Sequence, residues 1–84
     1  MKLTDLPNIG KAISSDLMSI GISNADDLLS ENPLKVFEKL RKVMGKRHDP
    51  CVYYTLLSVQ HFGKTSESLP WWNFTEQGKI DLQK

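Results

Sequence analysis

The stretch Leu6-Pro7-Asn8-Ile9-Gly10-Lys11-Ala12-Ile13-Ser14-Ser15-Asp16-Leu17 decides how the chain folds. Its first five residues read as a tight turn. Pro7 fixes φ, Asn8 tolerates a left-handed conformation, and Gly10 allows the backbone to approach closely. Ile9, Ile13, Leu17 and Ile20 then recur at helical spacing, while Lys11, Ser14, Ser15 and Ser19 are polar. That pattern predicts an amphipathic helix from about Lys11 to Ile20, closed by Gly21 as its C-terminal cap residue. A turn that opens directly into a helix leaves the first amides of that helix without intrahelical acceptors.

Downstream the same kind of signal repeats. Ser23 is the expected N-cap of a short helix that ends near Ser30 and carries Asp26 and Asp27 in its first turn. Asn32-Pro33 is a capping residue followed by proline at the first helical position, and it opens an amphipathic helix through Met44. Val36, Phe37, Leu40, Val43 and Met44 fall on one face of that helix, with Lys35, Glu38, Lys39 and Lys42 on the other. Gly45 ends it. Asp49-Pro50 repeats the signal for a helix expected to run to Phe62 and stop at Gly63. Its apolar arc, Val52, Leu56, Val59 and Phe62 widened by Tyr53 and Leu57, marks it as the central helix.

Lys64 to Ser68 reads as a polar loop, and Leu69-Pro70-Trp71-Trp72-Asn73-Phe74 as a short aromatic turn packing back on the core. Signals from Thr75 onward are weak, so 1–74 is expected to be one domain and 75–84 a frayed tail. No run alternates with a period of two. The expected fold is all-α, a compact bundle of about five short helices.

With 84 residues, 39% hydrophobic and 25% charged, the chain suits one globular domain with a small core. No stretch reaches the roughly 20 apolar residues that a membrane span needs. Met1-Lys2-Leu3-Thr4-Asp5 carries no apolar run of the secretory type. The single cysteine, Cys51, excludes an internal disulfide and fits a reducing compartment, so a cytoplasmic location is expected. The net charge of +1 hides a segregated pattern. Residues 1–32 hold two lysines against five acids, whereas residues 33–48 hold six basic side chains against Glu38 alone. Such a basic middle is either an anion-binding surface or a solvated helix face.

Three segments could carry chemistry. At the Asn8-Ile9-Gly10-Lys11 turn, free amides and the positive end of a helix dipole suit an anion, and Lys11 adds a charge. Lys39, Lys42, Lys46 and Arg47 extend the positive surface. At Lys46-Arg47-His48-Asp49-Pro50-Cys51, a helix start beside two cations would favour a thiolate, making Cys51 a possible reactive thiol; the alternative is a cysteine packed under the helix start, with Asp49 as N-cap. Trp71 and Trp72 could stack on a base or a partner surface, or else cover the core. His48, Cys51 and His61 are the only soft metal donors, and His61 lies about 15 Å along the helix from Cys51, too far to share an ion. No nucleophile, base and acid occur together. Neither metal, cofactor nor catalysis is expected.

The Leu6–Leu17 stretch resembles the second half of a helix-hairpin-helix motif, in which a Gly-hydrophobic-Gly turn presents backbone amides to a DNA phosphate. Asn8 stands where that motif usually has its first glycine, and the few residues before the turn allow a first helix of one turn. Leu-Pro-Asn-Ile-Gly at 6–10, Gly21-Ile22 before Asp26-Asp27-Leu28, Arg-His-Asp-Pro-Cys-Val at 47–52 and Trp-Trp-Asn at 71–73 together resemble the small bacterial mitomycin-resistance or pathogenicity-locus proteins. The hairpin half is also similar to the C-terminal domain of TfoX-type competence regulators. The resemblance implies a helix-hairpin-helix or SAM-like architecture and a link to DNA damage, because mitomycin crosslinks DNA. Its leading functional implication is a non-enzymatic module that holds the backbone of double-stranded DNA without reading bases. A protein-interaction module using the aromatic cluster and Tyr53/Tyr54 is the alternative, and a thiol redox sensor at Cys51 a further one. Oligomeric state stays open.

Overall fold

Two capping residues followed by proline set the frame. In a computed structural model, which describes residues 2–83, helix α3 spans Pro33–Met44 and α4 spans Pro50–Thr65. The Asn32 side chain accepts from the amides of Leu34 and Lys35 at 2.9 and 3.3 Å, and Asp49 accepts from Cys51 at 2.8 Å. Before them lie α1, Lys11–Ser19, and the short α2, Ala25–Leu29; after them comes α5, Thr75–Leu82. Single 3-10 turns occupy Leu3–Asp5, Gly45–Arg47 and Trp71–Phe74. Among the described residues there is no strand, and the fold is the expected all-α bundle.

α4 is the centre. α2, α3, α5 and the Trp71–Phe74 turn all pack on it. Val52, Tyr53, Tyr54, Leu56 and Val59 of α4 are buried, together with Leu17 of α1, Leu28 of α2, and Val36, Phe37, Leu40 and Met44 of α3. Gln60 reaches from α4 to the Glu31 carbonyl at 3.0 Å, closing the C-terminal end of α2. α1 ends in a Schellman arrangement: Gly21 adopts φ +91°, its amide bonds Met18, and the Ile22 amide returns to Leu17.

Four local expectations change. Asn24, not Ser23, caps α2 by accepting from the Asp27 amide at 2.9 Å. α4 does not stop at Gly63 but continues to Thr65 and ends at Ser66 in the left-handed region. Gly63 serves packing instead, since a β-carbon there would lie 2.6 Å from a Leu29 methyl. Tyr53 and Tyr54, expected at a partner surface, are core residues at 3% and 5% exposure. Finally, Thr75–Leu82 is a helix rather than a frayed tail. Gly78 lets α5 lie directly against the Tyr54 ring, and the Tyr53 hydroxyl donates to Asp81 Oδ2 at 2.8 Å. Burial, reinforced by the Asp81 carboxylate, pushes the Tyr53 phenol well above its usual pKa.

Candidate nucleic-acid interface

The Pro7–Gly10 turn has the geometry that its sequence implies. Asn8 sits at φ 65°, and Gly10 is the N-cap of α1 in an extended conformation. No side chain caps this end. Gly10, Lys11 and Ala12 are exposed, so this nine-residue helix starts at the protein surface, and its first amides have no intrahelical acceptors. Ile9 differs from its neighbours. At 5% exposure it is a core residue that anchors the turn from below. The half-motif before the turn is the single 3-10 turn Leu3–Asp5.

Asn8 explains why asparagine stands there. Its amide Nδ2 donates to Ser58 Oγ at 3.0 Å and to the Leu69 carbonyl at 2.9 Å. Ser58 is fully buried, and its hydroxyl donates to the Thr55 carbonyl at 2.6 Å. Asparagine therefore supplies the left-handed backbone that glycine would supply. It also ties the turn to α4 and to the chain leading into the tryptophans. Its side chain is a strut of the fold.

The basic stretch divides in two. Lys39 and Lys42 are exposed on α3, Lys46 is exposed in the turn that follows, and none of the three is in an ion pair among the described residues. Arg47 is committed elsewhere. Its guanidinium grips Asp16 of α1 through two bonds, Nη2 to Oδ1 at 2.9 Å and Nη1 to Oδ2 at 3.1 Å. Asp16 is 8% exposed, and the fork with its carboxylate raises the Arg47 pKa further above its usual value. The pair joins the end of the basic segment to the hairpin helix. The sequence hinted at this only through Asp16, a charge at the edge of α1's apolar arc.

Cys51 is not packed under the helix start. The thiol is exposed, but partial desolvation at the helix start, followed by the Asp49 carboxylate beside it, pushes its pKa up. The cations expected to lower it are engaged elsewhere. Arg47 holds Asp16, while His48 stacks on Phe37 with ring centroids 4.1 Å apart and donates from Nε2 to the Phe37 carbonyl at 2.7 Å. His61 Nε2 bonds Glu67 at 2.8 Å. The two tryptophans part company. Trp71 is half-buried and stacks on Tyr54, and Trp72 meets it edge-on and is 61% exposed. No helix among the described residues is long and apolar enough to cross a membrane.

Comparison with known proteins bears on the whole chain. It is 30% identical over 77 residues to mitomycin resistance protein McrB of Streptomyces lavendulae, which covers 92% of this chain and 73% of that protein. No solved structure matches. The pathogenicity locus (Cdd1) family model matches residues 1–80, and the chain belongs to that family.

Proposed function

We propose that this protein is a binding module, not a catalyst, and that it holds the phosphate backbone of double-stranded DNA as part of tolerance to DNA damage. The observation that carries this reading is the start of α1, which no side chain caps and whose first residues, Gly10, Lys11 and Ala12, are exposed, with Lys11 in no ion pair among the described residues. Unpaired amides at the positive end of a helix dipole bind an anion without reading bases. Lys39, Lys42 and Lys46 add positive charge on the neighbouring helix. Asn8 and Ile9 shape the turn, and Arg47 fixes α1 against the basic segment. Similarity to a mitomycin resistance protein supports the damage link, because mitomycin crosslinks DNA.

The test is a titration of a fluorescent 20–30 base-pair duplex at 50 and 200 mM salt, with wild type and Lys11→Glu. About four phosphate contacts predict roughly a hundredfold loss of affinity over that fourfold rise in salt. Lys11→Glu should abolish binding while leaving the thermal melt unchanged. Absence of binding by the wild type at 50 mM retires the DNA reading.

A second reading draws on Trp72, whose indole is 61% exposed next to another aromatic. A protein partner seated there predicts an affinity that barely changes with salt.

A further inference from the structure

We infer that the outer face of α3 is a track for one phosphate strand of duplex DNA, formed by Lys35, Lys39 and Lys42 and continued by Lys46. The inference rests on the DNA reading above and assigns it a second, separable surface.

The register makes the track. At 100° per residue, Lys35, Lys39 and Lys42 fall within about 60° of one another on α3, and they rise in steps of about 6 and 4.5 Å. Lys46 follows in the 3-10 turn just past the helix end. The core face of the same helix, Val36, Phe37, Leu40 and Met44, lies on the opposite side. All four lysines are exposed, and none is in an ion pair among the described residues. The one acid of the helix, Glu38, is neutralised by Arg41 at 3.2 Å. The result is a line of ammonium groups, with Glu38 as the one acid beside it, whose steps suit successive phosphates along one strand.

Helix energetics argue that the line is not there to stabilise α3. Like charges at i,i+4 and i,i+3 cost a few tenths of a kcal/mol per pair, whereas alternating glutamates would gain as much. Lys35 sits in the first turn, where a cation opposes the helix dipole. The face sets three lysines against the single Glu38, which pairs with Arg41. An anionic partner with regularly spaced charges supplies the missing half of the arrangement. Arg47, adjacent in sequence, is not part of it because Asp16 holds both arms of its guanidinium.

The experiment compares two double variants that remove the same charge, with anisotropy of a fluorescein-labelled 20-base-pair duplex read from 50 to 200 mM salt. Lys35→Gln/Lys42→Gln strips the track, and Lys64→Gln/Lys79→Gln removes two exposed lysines from α4 and α5. The track variant should bind at least tenfold more weakly at 100 mM, with the log–log salt slope reduced by about 1.8, and the control should stay within about threefold. Equal losses in the two variants would reduce the effect to net charge and overturn the track. If Lys11→Gln weakens binding while the track variant binds like wild type, the track falls and the hairpin site stands. If the wild type itself does not bind, both fall together.

Discussion

At the scale of single residues, the most informative position is Asn8. The backbone there requires a positive φ, which glycine provides at lower cost, yet the side chain makes two hydrogen bonds that glycine cannot. Asn8→Gly should therefore keep the turn but destabilise the protein by about 1–2 kcal/mol in chemical denaturation, leaving the Ser58 hydroxyl with an empty acceptor site. A neutral or stabilising result would mean that the bonds to Ser58 and Leu69 contribute nothing net. Arg47 is the second such residue. Lysine keeps its charge but loses the planar fork that matches a carboxylate. Arg47→Lys should lower the melting temperature and leave duplex affinity within about twofold. The opposite pattern, an unchanged melt with weakened binding, would return Arg47 to the phosphate-contacting set. Local chemistry made Asn8's conformation legible in the sequence, because a left-handed asparagine is a property of the residue itself. The partners of Arg47 and Asn8 lie 31 and 50 or more positions away, and no local pattern encodes them. The Cys51 thiol follows the same rule: partial desolvation and Asp49 push its pKa up, while Arg47 and His48, close in sequence, are bonded elsewhere.

At the scale of elements, the helices that announce themselves are those with a cap and a proline. α3 and α4 begin where Asn32-Pro33 and Asp49-Pro50 place them, and α1 ends where Gly21 allows. α5 lacks all of these signals. It has no side-chain cap and little amphipathic character, and only its tertiary contacts make it a helix. Gly78 is the pivot of those contacts. A β-carbon on Gly78 would come within 2.3 Å of two Tyr54 ring atoms, and the ring is buried and stacked on Trp71. In an isolated helix, Gly→Ala gains up to about 1 kcal/mol. Gly78→Ala should instead destabilise the protein by about 1–3 kcal/mol, because overpacking against a fixed ring outweighs propensity. Gly63→Ala provides the contrast, since the obstructing Leu29 methyls belong to a side chain that can turn aside. Its cost should be smaller, and circular dichroism melts of the two variants rank them. A stabilised Gly78→Ala variant would show that α5 is not held against Tyr54 as described. A glycine near the end of a helical pattern, as at Gly63, signals either a stop or a close contact, and only packing distinguishes the two.

At the scale of the molecule, α4 separates two surfaces of different chemistry. α3 packs on it with the lysines turned outward, and the Trp71–Phe74 turn packs on it without touching α3. The large apolar side chains left exposed, Met18, Leu34, Val43, Trp72 and Ile80, come from four different elements. Isolated exposures of this kind are ordinary on a monomer surface and do not by themselves mark a partner. Positive charge, by contrast, is concentrated on one helix, and this imbalance favours an anionic ligand over an apolar one. The link between the two sides is Asn8, which bonds the Leu69 carbonyl three residues before Trp72 and so brings the hairpin turn near the aromatic segment. Whether the aromatic side takes part in DNA binding is therefore decided at Trp72. Trp72→Ala removes an indole that is mostly in water, so its effect on stability should stay within about 0.5 kcal/mol. If duplex DNA is held by backbone contacts alone, the variant should bind the duplex within twofold of wild type and show the same salt slope. A base stacked on that indole would instead contribute about 1–3 kcal/mol, and its loss would weaken binding by roughly tenfold or more without changing the slope. That outcome would merge the aromatic turn and the hairpin into one surface and recast the ligand as DNA with an unpaired base, the form in which a strand can offer a ring to a tryptophan.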